Sequence, residues 1–418
     1  MSSPTIEVPK PETRPKLPEG WRWVRLGELV ESAQPGFASG ERSPAGVIQV
    51  RMNNVTTLGT LNWIEITRVP RPSKGLGKLL LQPGDVLFNN TNSVELVGKS
   101  ALFQGHEEEV TFSNHFTRLR TLKHLLDPAY LTFWLVSQWQ TKTFERICVR
   151  WIGQAAVQRN KLLTLELPLP PLETQRRIAA ILTEQMGAVE KARKAAEDGL
   201  EAARKLAGAY IVASFRGPRV ADWDRVPLAD ISTFLPAKSI ASDGDTEVLA
   251  ITTACLSELG FRPEGIKTAR MWANDAREAT VSPGEILIAR SNTPELVGRV
   301  AVYPGGYPNL VASDLTIRIK ATGADPAYLG AYLSSLYLSG YWKERAGGAS
   351  GSMKKITRGQ LQAEHIPLPD LETQRRTVAE LNSKTEATKQ LVRHLEAQLE
   401  AIRALPAAIL RRAFSGEL

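Results

Sequence analysis

The alternation of apolar and polar positions divides the chain into two kinds of segment. Short runs rich in β-branched and aromatic residues, bounded by Gly and Pro, predict strands at Val47–Met52, Asp85–Asn89 and Phe116–Arg120. Comparable runs recur at Val248–Thr252, Glu285–Arg290 and Leu315–Lys320. The second kind of segment is long and poor in proline, and its apolar residues return every 3.5 positions. Within Glu372–Phe414, Val378, Leu381, Thr385, Thr388, Val392, Leu395, Leu399, Ile402 and Ile409 fall on heptad a and d positions. Within Glu173–Phe215 the series is Ala179, Leu182, Met186, Val189, Arg193, Ala196, Leu200, Ala203 and Tyr210. Only Arg193 breaks the apolar seam, and it either snorkels or meets Glu386 or another acid across the pair. A period kept this long predicts two helices packed along their length, each spanning roughly 65 Å at ~1.5 Å per residue.

These segments belong to a tandem repeat. Leu167-Pro168-Leu169-Pro170-Pro171-Leu172-Glu173-Thr174-Gln175-Arg176-Arg177 returns as Ile366-Pro367-Leu368-Pro369-Asp370-Leu371-Glu372-Thr373-Gln374-Arg375-Arg376, an offset of 199. Pro83-Gly84-Asp85 matches Pro283-Gly284-Glu285, and Glu95-Leu96-Val97-Gly98-Lys99 matches Glu295-Leu296-Val297-Gly298-Arg299. Asp127-Pro128-Ala129-Tyr130 matches Asp325-Pro326-Ala327-Tyr328, and Phe215 and Gly217 match Phe414 and Gly416. Ordered matches at nearly constant offset mark a duplicated element of about 200 residues. Pro-Gly supplies the two φ values of a type II turn, and Asp-Pro reads as a helix cap followed by proline at the first helical position.

The expected architecture is α+β: two globular mixed α/β heads separated by two long helices. A Pro-rich leader over residues 1–19 is expected to be disordered. The first head covers 20–170, the central helix 171–217, the second head 218–368 and the C-terminal helix 369–418. Direct repeats allow the helices to pair parallel or antiparallel. Antiparallel pairing would relate the heads by an approximate two-fold axis, the logic by which dimeric readers meet paired half-sites on a duplex. Between the copies the loops differ, so two half-sites would differ as well.

Composition narrows the partners. A net charge of +8 favours a polyanion. The two cysteines, Cys148 and Cys255, stand far apart, which argues against a disulfide framework and fits a reducing cytoplasm. The histidines are scattered without zinc spacing, and no apolar run reaches the ~20 residues of a membrane span.

The Pro-Leu-Pro-x-Leu-Glu-Thr-Gln-Arg-Arg box that opens a long helix, twice, after two divergent β-rich regions, resembles the specificity subunits of type I restriction-modification systems. The resemblance runs from about Gly20 to Leu418, with Thr174-Gln175 and Thr373-Gln374 where the family more often has Glu-Gln. It implies two target recognition domains on an internal pseudo-two-fold axis. Antiparallel spacer helices would dock two methyltransferase subunits on double-stranded DNA. S-adenosylmethionine would sit in those partners, which methylate adenine, while restriction subunits using ATP and Mg could join. No cofactor or metal is expected in this chain, which would be a non-catalytic, cytoplasmic component without membrane contact. A different reading of the same long helices is a coiled-coil scaffold or adaptor without a DNA role.

Lookalike chemistry is weighed against structural roles. Asp127-Pro128-Ala129-Tyr130 resembles the Asp-Pro-Pro-Tyr loop of adenine methyltransferases, yet a helix cap accounts for it and no Gly-rich cofactor loop precedes it. Asp85 with Glu95 and Lys99 resembles a nuclease cluster only loosely, and a repeated turn-and-strand frame explains it. Gly347-Gly348-Ala349-Ser350-Gly351-Ser352 lacks the spacing of a phosphate loop and reads as flexible.

Three stretches in each head are candidates for DNA. Asn89, Asn90 and Asn92, with Arg290 and Asn292 in the second copy, carry groups suited to base edges, and equally suited to polar turns. Arg71, Lys74, Lys78, Arg270 and Arg277 are candidates for phosphates, or for a solvated surface. Arg159, Lys161, Lys354, Lys355 and Arg358 precede each box, where head meets helix.

Overall fold

The computed structural model describes residues 16–73, 75–257, 260–350 and 353–418. Most of the Pro-rich leader, together with Lys74, Gly351 and Ser352, therefore lies outside the described residues. The chain forms two compact units, residues 1–196 with 398–418 and residues 197–397. Each contains one head, the beginning of one long helix and the end of the other.

The core of the first unit is a four-stranded antiparallel sheet in the order Val30–Pro35, Phe116–Thr121, Val86–Asn89, Ser100–Leu102. A three-stranded sheet of Arg68–Val69, Val47–Val50 and Val110–Phe112 stands beside it, with one parallel pairing. The second unit repeats both: Ser232–Leu235, Thr316–Ala321, Ile286–Ala289, Val300–Val302, and Lys267–Met271, Thr246–Ile251, Leu310–Ala312. The runs read from the sequence thus form strands within a residue or two of their expected bounds. The same order in both units follows from the same turns in both copies. Gly84 and Gly284 take positive φ, and Asp85 and Glu285 donate backbone N–H groups back to Gln82 and Ser282 at 2.9 and 3.1 Å. Gly98 and Gly298 are held for a different reason, because a Cβ there would sit 2.2 Å from Phe144 or 2.6 Å from Trp342.

The acid after each turn closes a buried ion pair. Asp85 accepts from Arg120 Nε at 2.7 Å, with Arg118 Nε at 3.9 Å. Glu285, one methylene longer, is gripped twice by Arg318, at 2.9 and 3.0 Å. The nuclease-like grouping therefore dissolves into structural roles. Asp85 holds strand arginines, and Lys99 Nζ donates to the Val55 carbonyl at 2.7 Å, burial lowering its pKa.

The long helices run Leu172–Ser214 and Leu371–Ser415. Leu182 is fully buried, Met186, Val189, Leu200, Leu381, Leu399 and Ile402 nearly so, and Tyr210, Val392 and Leu395 are half-buried. Within each unit the two helical segments run antiparallel. In the first, Ala179, Leu182 and Met186 share a core with Leu410 and Ala413, and Arg177 Nη2 donates to the Leu418 carbonyl at 3.1 Å. In the second, Tyr210, Ile211 and Phe215 share a core with Val378 and Leu381, and Arg204 meets Glu396 at 2.8 Å. Arg193 pairs with Glu190 on its own helix at 2.5 Å, while Glu386 receives Arg393 at 3.2 Å.

The repeated box fastens helix to head through its glutamine. Gln175 has no exposed surface; its Oε1 accepts the Asp127 N–H at 2.9 Å, and its Nε2 donates to the Leu125 and Pro170 carbonyls, both at 2.9 Å. Gln374 accepts the Asp325 N–H at 2.9 Å and donates to the Pro369 carbonyl at 2.8 Å. Asp127 and Asp325 cap the helices Pro128–Gln140 and Pro326–Leu338, accepting from the N–H groups two and three residues on. Tyr130 and Tyr328 on those helices donate to Pro168 and Pro367 carbonyls at 2.7 Å. The Asp-Pro-Ala-Tyr motif is thus a cap and an anchor for the box. The phenols also receive the end of a long helix: Phe414 meets Tyr130 edge-on at 5.3 Å and Phe215 meets Tyr328 at 5.4 Å.

Replacing Gln175 by Leu leaves the Asp127 N–H and two carbonyls buried without partners. Urea unfolding should show a loss of about 2–4 kcal/mol, since each orphaned buried group costs about 1–3 kcal/mol. A loss below the error of the measurement would refute this anchoring. Burial raises both tyrosine pKa values above the ordinary 10.0, so the folded chain holds those protons where the unfolded chain releases them. Their contribution is complete below pH ~10 and fades as pH climbs past it. Stability should therefore fall above pH ~10, and the doubly substituted Tyr130→Phe, Tyr328→Phe chain should show a flatter alkaline limb in thermal melts.

Candidate nucleic-acid interface

Each head carries a small three-stranded sheet at the point where its chain turns toward the box. In the first, the hairpin of Val149–Trp151 and Gln154–Ala156 adds to Thr91–Asn92, pairing Ala155 with Asn92. In the second, Gly347–Ser350 and Met353–Lys355 add to Ser291–Asn292, pairing Lys354 with Asn292 and Lys355 with Ser291. Gly347–Ser350 is therefore a strand, not the flexible loop its composition predicts; cross-strand hydrogen bonds to Met353–Lys355 fix a backbone that glycine alone would leave free. The sheet joins two candidate stretches that are about 60 residues apart in sequence.

The asparagine cluster turns inward. Asn89 has no exposed surface, and its Nδ2 donates to the His115 carbonyl at 3.1 Å and the Thr91 carbonyl at 3.3 Å. Asn92 Nδ2 donates to Asn89 Oδ1 at 2.7 Å while its own Oδ1 accepts the Ser93 N–H at 2.9 Å. Asn90 Nδ2 donates to Thr91 Oγ1 at 3.0 Å, and its Oδ1 accepts from Thr117 at 3.3 Å. These amides hold the loop, and the expectation that Asn89 offers its edge to a base is corrected by its burial. In the second copy Asn292 Oδ1 caps the Thr293 N–H at 2.8 Å, and Arg290, half-buried, donates through Nη1 to the Asp314 carbonyl at 3.2 Å.

The cations divide by what they touch. Arg71 is exposed but meets Glu109 at 2.5 Å, beside Arg68, which is bidentate on Glu108 at 2.7 and 2.8 Å. That stretch is locally neutralised, so Arg71 is a weaker phosphate candidate than its sequence suggests. Lys78 is exposed at the end of the short helix Leu76–Leu79. Arg270 is exposed and donates through Nε to the Gly244 carbonyl at 2.8 Å; Arg277, on helix Ala273–Ala279, meets Asn274. Nearer the box, Arg159 reaches the Ala33 carbonyl at 3.2 Å and Arg358 the Leu235 carbonyl, equivalent contacts in the two heads. Lys161 and Lys355 are exposed and Lys354 half-buried on the hairpin strand.

Two features were invisible to motif reading. The tip of the first hairpin exposes Trp151 at 59% and Ile152 fully. Tryptophan and isoleucine are residue types ordinarily found in a core, so no local pattern marks these two as exposed. A cleft of about 650 Å³ in the second unit is lined by Arg204, Arg262, Arg299, Lys389 and Arg393 with Glu386, residues from both long helices and the head. No group of three or more His, Cys, Asp or Glu side chains arranged for a metal occurs among the described residues. Nor, among them, is any helix long and apolar enough to cross a membrane.

Comparison with known proteins places this geometry. The family of the type I restriction modification DNA specificity domain matches residues 18–196, the first head and the opening of its long helix. A protein of Methanocaldococcus jannaschii named for the MjaX type I restriction enzyme specificity subunit is 25% identical over 387 residues, covering 86% of this chain and 85% of its own. The MjaVIII specificity subunit of the same organism is 24% identical over 207 residues, 48% of each chain. A chain solved in a study of complex assembly and conformational transition of the type I R-M system superposes with a TM-score of 0.73 at 25% identity, covering 96% of this chain and all of that one. The HsdS subunit of Thermoanaerobacter tengcongensis shares the fold, with a TM-score of 0.61, 24% identity and coverage of 97% and 100%. Residues 18–196 thus match the type I restriction modification DNA specificity domain, and over nearly its whole length the chain, with its duplicated heads and glutamine-anchored helices, is similar to type I specificity subunits, a class of non-catalytic subunits.

Proposed function

We propose that this chain reads a bipartite, asymmetric DNA target for a type I restriction-modification complex, one half-site per head. The observation that carries the reading is the contrast between the two copies. Turn, cap, ion pair and glutamine anchor recur, so the heads share a frame, while the loops and cation sets differ, as two unlike half-sites would require. The cations beside each box, Arg159 and Lys161 in one head and Lys354, Lys355 and Arg358 in the other, are assigned to phosphates. Arg270, Arg277 and Lys78 extend that contact, Arg71 contributes less, and Arg290 and Asn292 lie nearest the bases of the second half-site. Lys74 is assigned with Lys78 on sequence alone.

The long helices dock two methyltransferase subunits, which supply S-adenosylmethionine and transfer its methyl group to adenine N6. Restriction subunits using ATP and Mg could join the same assembly. The chain itself addresses the complex, and its helices set the gap between half-sites.

Co-expression with a methyltransferase subunit encoded beside it, followed by mapping of methylated adenines, should reveal one split asymmetric motif. An assembled complex that leaves DNA unmethylated would overturn the proposal. Reversing Lys354 and Lys355 to Glu should weaken DNA binding by the complex and flatten its salt dependence; unchanged affinity would favour a scaffold or adaptor. Inserting one heptad in both long helices should change the gap in the motif, and an unchanged gap would refute the spacer role.

A further inference from the structure

Among the exposed apolar residues, those at the tip of the first head's hairpin are singular in where they stand. Val149 pairs with Ala156 and Trp151 with Gln154, so Val149 and Trp151 project from one face of the ribbon. Their exposures are 41% and 59%, and Ile152 at the turn is fully exposed. Gly153, at φ +76, closes the turn with open space around it. The base of the ribbon is rigid by contrast. Ala155 is fully buried, Val157 nearly so, and the Val157 N–H donates to the Asn90 carbonyl at 2.9 Å. A stiff ribbon thus holds an aromatic ring and a branched aliphatic side chain out into water, at a cost in hydration that a folded chain ordinarily avoids.

The charge around the tip selects the occupant. Arg146, Arg150, Arg159 and Lys161 are all exposed; Glu95 lies near Arg150 and Glu145 and Glu166 bound the segment, but from Arg146 to Leu165 the chain contains no aspartate or glutamate. A purely apolar protein groove would gain nothing from four flanking cations, whereas a duplex offers phosphates to them and stacked bases to the tip. The second head is built otherwise. At the positions of Trp151, Ile152 and Gly153 its sequence has Ser350, Gly351 and Ser352.

We infer that Trp151 and Ile152 form an apolar wedge that enters the DNA at the first head's half-site and partly unstacks one base step, and that the second head has no counterpart. Cations position the ribbon on the backbone, and the ring replaces a base as stacking partner. This rests on the DNA-reading role proposed above.

The test uses the full chain assembled with its methyltransferase subunit and a duplex carrying the mapped methylation motif. In the wild-type complex, permanganate should attack thymines in one half-site beyond the partner of the methylated adenine. Trp151→Ser combined with Ile152→Ser should abolish that reactivity, lower affinity roughly tenfold and leave the salt slope unchanged. Thermal melting should change little and assembly should be unaltered, since most of the Trp151 and all of the Ile152 surface already faces solvent. Unchanged affinity and thymine pattern would overturn the wedge, and so would loss of methyltransferase assembly, which would make the tip a protein contact. If the wild-type complex failed to methylate DNA at all, the DNA-reading role itself would fall and the wedge with it.

Discussion

The fold depends on a buried side-chain amide at the start of each long helix. Gln175 and Gln374 tie the first turn of the helix to the capped end of a head helix, each satisfying a backbone N–H and at least one carbonyl that has no other way to reach water. A helix of more than 40 residues is a lever, and a small error in its starting angle grows along its length. Directional hydrogen bonds can hold an angle where apolar packing alone would let neighbouring rotamers slide. The tyrosine beside each amide adds a second fixed point by donating to the proline-rich entry, and then receives the phenylalanine that ends a long helix. One small region in each unit therefore sets where a helix leaves and where another arrives.

This arrangement separates the frame from the exposed hairpins. The frame is made of groups whose loss would strand buried charge or buried backbone: Asp85 with Arg120, Glu285 with Arg318, and the two glutamines. The acid and the glutamine recur in both copies, although the acid's arginine is Arg120 in one and Arg318 in the other. The small hairpin sheets stand under no such constraint. Their bases are fixed by cross-strand pairing, and the first carries Trp151 and Ile152 at its tip, where the sequence of the second copy has Ser350 and Gly351. Loops can therefore differ between the heads without disturbing the helices.

The sequence by itself determined the repeat, the heptad seams and most strands, because each is a local pattern. Pro-Gly at Pro83-Gly84 forces a turn wherever it lies, Asp127-Pro128 caps a helix wherever it lies, and Leu182 or Leu399 must be covered because the 3.5-residue period puts it on one stripe. The tertiary structure decided what depends on residues far apart in the chain. Direct repeats permit parallel or antiparallel helices, and the choice came from which helix ends share a core with which head. Asn89 carries the same amide whether it faces a base or the His115 carbonyl, and only the pairing of distant strands buried it. Trp151 is of a residue type usually covered, yet the hairpin leaves most of it exposed, because burial belongs to the packed ensemble of side chains and not to the residue type.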